Sequence, residues 1–180
     1  MHGLVSLLDP EHSCKVESLW DMLEAQCGLN GIRITPFPHF SWLIGADFDW
    51  PALEQALREL AAQTKPFAVQ AGGLGIFPGP SPVFFIPVLR NNRLNHLHQA
   101  VWERVSLLGR EVSEYYAPPN WMPHISLAYG DVTRENIDGV IRALAFQPIH
   151  WEITVSDLTL IYEPDGQVGE IRFRYPFGGG

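Results

Sequence analysis

Two short segments of the sequence share one pattern, in which a histidine and a serine stand two positions apart among large apolar residues. His39 and Ser41 form the first copy within PHFSW, and His124 and Ser126 form the second within PHISL, 85 positions later. Side chains of an extended strand alternate between its two faces, so each histidine shares a face with its serine. Two such faces turned towards each other would form a cleft with paired imidazoles, which suits proton transfer at phosphorus.

The residues between these polar positions predict where the two strands are buried. Large side chains alternate with the polar ones in both copies: Phe40, Trp42 and Ile44, then Ile125, Leu127 and Tyr129. A strand with this alternation packs its apolar face in a core and leaves the polar face free. We therefore expect both copies to present histidine and serine at a surface of the sheet.

The composition is that of a globular protein that does not coat nucleic acid. With 46% hydrophobic and 18% charged residues, the 180-residue chain can bury the core of one domain or of two fused small lobes. The net charge of -8 argues against an extended nucleic-acid surface, because such a surface neutralises many phosphates with Lys and Arg. A small nucleotide or an RNA terminus remains compatible with this charge, and a monomer is expected.

The sequence favours a cytoplasmic location. Cys14 and Cys27 lie on one predicted helix at a spacing that suits neither a metal nor a disulfide, which favours free thiols in a reducing compartment. No charged and then apolar leader opens the chain, and no apolar run reaches the roughly 18 residues of a membrane span. We therefore expect no membrane association.

Hydrophobic periodicity predicts the elements around the two copies. The first half is predicted to contain a strand at 3–8, a helix at 13–27, a helix that begins at the N-cap Asp49, and strands at 66–77 and 83–89. The second half is predicted to contain a helix at 92–109, a helix from about Thr133, and strands at 149–162 and 168–176, with a bulge near Ser156.

This order of elements predicts a duplicated α+β fold. Each half runs through a helix, a loop, a His-x-Ser strand, a helix and a strand pair, as an internal repeat does. Strands joined by short turns rich in Pro and Gly favour antiparallel pairing over a parallel, doubly wound sheet. We predict one domain over 1–180 with lobes at about 1–90 and 91–180, whose strands can be exchanged. Two antiparallel sheets would face a central cleft, with helices packed outside.

These features resemble the two-histidine (2H) phosphoesterase superfamily, in its branch of 2'-5' RNA ligase-like proteins and 2',3'-cyclic nucleotide phosphodiesterases. The resemblance lies in the paired His-x-Ser strands, in the order of elements, and in the run Gly73-Leu-Gly-Ile-Phe-Pro78 followed by Pro82-Val-Phe-Phe-Ile. It extends from about Gly3 to Tyr175. One His-x-Ser alone carries no information, whereas two copies at equivalent places of a repeat do.

The resemblance implies the identity of the catalytic residues and the class of substrate. The family motif is His-x-Thr/Ser, and it falls here on His39, Ser41, His124 and Ser126. It implies a hydrolase that needs neither metal nor cofactor and acts on a 2',3'-cyclic phosphate or a 2'-5' phosphodiester of a nucleotide or RNA end. Reverse 2'-5' ligation is compatible with the same site.

Two histidines can divide the work of opening a cyclic phosphate. Imidazole has an unperturbed pKa of about 6.5, so near neutral pH one ring can be neutral while its partner is charged. The neutral ring would deprotonate water and the charged ring would protonate the departing ribose oxygen, while the serine hydroxyls donate to the other phosphoryl oxygens. The near symmetry of the two lobes leaves open which histidine is the base.

Three aromatic residues near the second copy, and Arg90, are candidates for substrate binding. Tyr116, Trp121 and Tyr129 could stack on a nucleobase, although core packing explains them equally well. Arg90 could supply positive charge to a phosphate, as could Arg33.

Two other functions are compatible with the sequence. The first is a non-catalytic module that binds a nucleotide in the same cleft, and the second is a metal-dependent hydrolase with histidine ligands. His96 and His98 lie two positions apart on a predicted helix and so on different faces, while His2, His12 and His150 have no partner at a ligand-like spacing. This distribution disfavours a metal site.

Overall fold

The computed structural model describes residues 1–164 and 167–178, and it confirms an α+β fold with antiparallel sheets. The helices are α1 (Pro10–Cys27), α2 (Trp50–Gln63), α3 (Asn92–Val105) and α4 (Ile137–Leu144), with 3-10 turns at Gly31–Ile34, Ser106–Leu108 and Glu114–Tyr116. The strands are β1 (His2–Leu7), β2 (His39–Gly45), β3 (Asp47–Phe48), β4 (Phe67–Gly72), β5 (Gly75–Phe77), β6 (Val83–Pro87), β7 (Gly109–Arg110), β8 (His124–Ala128), β9 (His150–Val155), β10 (Asp157–Tyr162) and β11 (Glu170–Pro176).

Side-chain caps explain where the first two helices begin. Asp49 accepts a hydrogen bond from the N–H of Ala52 at 3.2 Å, so the predicted N-cap of α2 is confirmed. Helix α1 begins three residues earlier than predicted, because Asp9 caps it through the N–H of His12 and Pro10 occupies the first helical turn. Its end is set by Gly28, whose φ of 70° is unfavourable for other residues.

The strands form two main antiparallel layers, and each layer contains strands from both halves of the chain. The first sheet has the order β11-β10-β1-β2. The second contains β5-β6-β8 and the pair β4-β9, which are joined by a bridge between Ala71 and Val88 and by a hydrogen bond of 2.8 Å from the Leu89 N–H to the Gln70 carbonyl. A division of the chain near residue 90 therefore does not separate the two sheets.

Two of the predicted strands are interrupted. The strand expected at 66–77 is broken at Gly73, where a φ of 79° turns the chain between β4 and β5. The prediction of a bulge near Ser156 is wrong. Ser156 separates β9 from β10, and these two strands lie in different sheets. The change of phase in the sequence therefore marks a change of sheet.

The two His-x-Ser strands, β2 and β8, lie at the edges of their sheets and contact each other. Their apolar faces are buried as predicted, with Phe40 and Trp42 1% and 0% exposed, and Ile125 and Leu127 0% and 1% exposed. Complete burial of a side chain of this size stabilises a fold by about 1.5–3 kcal/mol. These residues therefore anchor both strands in one core.

A β-bulge follows the serine in each of these strands. In β2, Ser41 pairs with Val5 and Leu43 with the preceding residue of β1, so Trp42 is the extra residue. In β8, an equivalent shift leaves Leu127 extra between the pairings of Ser126 and Ala128. A bulge reverses the alternation beyond it. Ile44 and Tyr129, which strict alternation places on the buried faces, consequently lie on the same side as the histidines.

None of the helices in 1–164 and 167–178 has the length and apolar character needed to cross a membrane.

Candidate active site

One cavity of about 630 Å³ lies between the two sheets and collects the polar residues of both copies. His39, Ser41, His124 and Ser126 all line it, so the structure brings the four predicted catalytic side chains together. The two strands reach the cavity from different sheets, which gives the site an approximate internal symmetry.

Both imidazole rings are held in the same way. His39 Nδ1 lies 2.5 Å from the carbonyl oxygen of Phe37, and His124 Nδ1 lies 2.7 Å from the carbonyl oxygen of Met122. A carbonyl oxygen only accepts, so each neutral ring carries its proton on Nδ1 and donates it there. Each Nε2 is then left with a free lone pair, which is the arrangement that a proton acceptor needs.

Burial favours the uncharged form of both rings. Desolvation is the main cause that lowers the pKa of His39 and of His124 below the ordinary value, against the raising effect of the two carbonyl hydrogen bonds. Phe77 and Phe85 pack edge-on against the His124 ring at centroid distances of 4.9 and 5.1 Å. A charge on His124 also lowers the pKa of His39.

Two tryptophans fix the serine backbones from the opposite half of the chain. Trp121 Nε1 donates to the Ser41 carbonyl at 2.9 Å, and Trp20 Nε1 donates to the Ser126 carbonyl at 3.1 Å. Trp121 is 1% exposed, and its ring stacks on His98 at 3.7 Å with an interplanar angle of 2°. Trp121 therefore lines the cavity mainly as a positioning residue, and little of its ring is available to a nucleobase.

The two predicted tyrosines lie at the cavity in different roles. The Tyr116 side chain interacts with that of Ser41, and burial raises the pKa of Tyr116 to about 12, so this hydroxyl stays protonated at neutral pH. Tyr129 is 51% exposed and lines the same cavity, where its ring is open to a ligand. Tyr116 thus extends the hydroxyl set of the first copy, and Tyr129 offers a stacking surface.

The structure does not place Arg90 at the cavity. Its guanidinium donates to the carbonyls of Pro118 and Trp121 at 3.3 and 3.0 Å and to Asn95 Oδ1 at 2.7 Å, which orders the loop before β8. Arg33 is similarly engaged by an ion pair with Asp21. No Lys or Arg side chain occurs among the described residues that line the cavity.

Several lining residues were not predicted from the sequence. Phe77 was present only as part of the run quoted for the family resemblance, while Thr35 and Glu163 carried no periodic signal. The loops that hold them reach the cavity only through the pairing of distant strands. Among 1–164 and 167–178 there is also no group of three or more His, Cys, Asp or Glu that could hold a metal ion.

An α+β fold in which His-x-Ser strands from two sheets meet at one cavity is that of a two-histidine phosphoesterase. The chain belongs to the 2'-5' RNA ligase superfamily, whose family model matches residues 34–167. It is 23% identical over 161 residues to a protein of Bacillus cytotoxicus named as a "putative phosphoesterase", covering 84% of this chain and 89% of that one.

Two solved structures share the fold. The chain resembles TT0787 of Thermus thermophilus with a TM-score of 0.68 and 19% identity, and a structure titled as a phosphoesterase with a TM-score of 0.59 and 15% identity. In both cases 99% of this chain and 98% of the other are covered. At this level of identity the likeness establishes the fold, and the activity is argued from the site.

Proposed function

We propose that this protein hydrolyses a 2',3'-cyclic phosphate or a 2'-5' phosphodiester at the end of a nucleotide or RNA, without a metal ion. One observation carries the proposal: two neutral imidazoles, each with its Nδ1 proton committed to a backbone carbonyl, line one cavity together with two serine hydroxyls. Such a pair can accept a proton on one side of a phosphoryl group and donate one on the other.

The substrate itself supplies the charge that the mechanism needs. A phosphodiester is a monoanion, and its approach to two neutral rings favours protonation of one of them, because an opposite charge nearby raises the pKa of an imidazole. The neutral ring then takes a proton from the attacking water, and the charged ring delivers its Nε2 proton to the departing ribose oxygen. The P–O bond to that oxygen breaks as the P–O bond to water forms, and the product is a phosphomonoester.

In this proposal hydroxyl groups, and not Lys or Arg side chains, donate hydrogen bonds to the phosphoryl oxygens. Ser41 and Ser126 would donate to the two non-bridging oxygens, and the Tyr116 hydroxyl would support Ser41; all three side chains line the cavity. Removing one preorganised donor from such a site costs about 10²–10³ in kcat in other enzymes. The reverse reaction, in which a 2'-hydroxyl end attacks a cyclic phosphate, uses the same groups and would give ligase activity.

The test is incubation of the purified protein with 2',3'-cyclic nucleotides and short 2'-5' linked oligonucleotides in excess chelator. We expect turnover to a 2'-phosphate from the cyclic substrate, and near-complete loss of it in His39→Ala and in His124→Ala. His96→Ala, an exposed histidine of α3, is the matched control and should retain full turnover. Turnover that the chelator abolishes, or that survives in either cavity variant, contradicts the proposal.

Binding without turnover is the outcome that would favour a different function. If the protein binds a cyclic nucleotide tightly and releases it unchanged, the same cavity serves a nucleotide-binding module.

We also propose a cytoplasmic location, which is supported by the two cysteines. Cys14 and Cys27 are both free on α1, and 13 residues of helix place them about 20 Å apart, too far for a mutual disulfide.

A further inference from the structure

The cavity continues beyond the histidines over the face of the first sheet, and its lining there is aliphatic. Gly3 lies at the centre of this region, where β1 places it between Ile44 on β2 and Ile161 on β10. Five branched apolar side chains line the cavity together with Gly3: Val5, Ile32, Ile34, Ile44 and Ile161. We refer to Gly3 and these five residues as the shelf.

Gly3 leaves an open space at the centre of the shelf. A Cβ atom built on Gly3 would approach only Val5 Cγ1, at 3.5 Å, so nothing else within 4 Å occupies the volume above its backbone. A flat ring can therefore lie over Gly3 between the two isoleucines. The bulge at Trp42 contributes to this shape, because it turns Ile44 towards the cavity.

A carboxylate stands at the far end of the shelf. Glu163 lines the cavity, and its Oε2 accepts a hydrogen bond of 2.5 Å from the Thr35 hydroxyl. Its backbone is fixed on both sides, since its N–H donates to His2 Nδ1 at 3.0 Å and its carbonyl accepts from the Met1 ammonium at 3.2 Å. Glu163 is thus a preorganised acceptor in a cavity whose other lining is largely apolar.

Strand register sets the distance between this carboxylate and the first His-x-Ser strand. From Ser41, Glu163 lies two strands across the sheet and four residues along it, which separates the two Cα atoms by about 16 Å at ordinary strand spacings. Both residues line the same cavity, so a nucleotide whose phosphate lies at Ser41 can extend over Gly3 towards Glu163.

We propose that the shelf and Glu163 form a base-binding subsite that selects guanine, so that the preferred substrate end carries a guanine nucleotide. An ionised carboxylate only accepts hydrogen bonds and has about four lone-pair positions, of which Thr35 uses one. Guanine presents two adjacent donors, its N1–H and its 2-amino group, to such an acceptor. Adenine, cytosine and uracil each place an acceptor beside their donor, and the carboxylate would repel it. The inference rests on the proposed function only for the position of the phosphate.

The test compares the four 2',3'-cyclic nucleotides as substrates. We expect kcat/KM for the guanine nucleotide to exceed that for the uracil nucleotide by at least about tenfold, the effect of two hydrogen bonds to a charged group. Glu163→Gln should lower kcat/KM for the guanine nucleotide and so remove this preference. Glu170→Gln, an exposed glutamate of β11 outside the cavity, is the matched control and should keep the wild-type preference.

Binding measurements make the result independent of catalysis. Calorimetric titration of the wild type and Glu163→Gln with guanosine 2'-monophosphate and uridine 2'-monophosphate should show the same preference and the same loss. Thr35→Val, which keeps the carboxylate but removes its hydroxyl donor, should reduce the preference by a smaller factor. Urea unfolding of each variant then identifies any loss that comes from destabilisation.

Each outcome decides one of the two proposals. Equal turnover of all four nucleotides, or a guanine preference that survives in Glu163→Gln, overturns the base subsite and leaves the phosphoesterase function standing. Guanine-selective binding that depends on Glu163, without turnover of any nucleotide, supports the subsite and overturns the hydrolase. If the protein shows neither turnover nor binding of any nucleotide, both proposals are overturned.

Discussion

The interaction between the Tyr116 and Ser41 side chains allows one prediction to be worked through. Tyr116→Phe removes a single oxygen and keeps the ring that fills the cavity wall. A net hydrogen bond contributes about 0.5–1.5 kcal/mol, and about 1.4 kcal/mol corresponds to a factor of ten in rate. If the Tyr116 hydroxyl acts by orienting the Ser41 proton towards the phosphoryl oxygen, kcat should fall by roughly two- to tenfold while KM changes little.

A double-mutant cycle distinguishes this role from a direct contact with substrate. Kinetics on a 2',3'-cyclic nucleotide would be measured for Tyr116→Phe, Ser41→Ala and the double variant. Because Tyr116 acts through Ser41, the tyrosine change should have almost no effect once Ser41 is alanine. Tyr175→Phe, which loses a hydroxyl bonded to Glu54 at 2.8 Å outside the cavity, controls for the substitution itself. A twofold to tenfold loss that persists in the Ser41→Ala background would refute the reasoning.

Three further predictions concern protonation and the shelf. Because burial lowers the pKa of both His39 and His124, the acid limb of a plot of kcat/KM against pH should be centred below pH 6.5. A limb centred above pH 6.5 in a stopped assay would contradict the burial argument. Burial also lowers the pKa of His98 to about 4. Between pH 6.5 and pH 4 the His98 side chain therefore binds a proton in the unfolded chain but remains neutral in the folded chain. His98 should therefore contribute a loss of about 2 kcal/mol in the free energy of unfolding between pH 7 and pH 5, and urea unfolding of His98→Phe should lack this contribution. Gly3→Val should fill the shelf and raise KM for cyclic nucleotides while leaving the urea midpoint nearly unchanged; an unaltered KM would show that no ligand lies over Gly3.

Local patterns in the sequence were sufficient for most of the elements and for the two His-x-Ser pairs that line the cavity. Period-two alternation around Phe40 and Ile125 predicted two half-buried strands, and both apolar faces are buried. The Asp49 cap is equally local, because it involves only the N–H three residues along the chain. The pairing of each histidine with its serine needed no tertiary information, since both occupy one face of one strand.

The sheet partners could not be predicted in this way. The bulges at Trp42 and Leu127 arise from how β2 pairs with β1 and how β8 pairs with β6. Because of them, Ile44 and Tyr129 lie in the cavity, where alternation alone places them in the core. The phase change at Ser156 was visible in the sequence, but a bulge and a change of sheet give the same local pattern.

By itself, the sequence determined which atoms could do the chemistry: two imidazoles and two hydroxyls, each pair presented by one strand. The tertiary structure alone decided that the two pairs share a cavity, that Arg90 serves a loop instead of a phosphate, and that Glu163 stands at the end of the shelf. The physical reason is that side-chain direction within a strand is set by its own backbone. The neighbours of that side chain are set by pairings between residues more than a hundred positions apart.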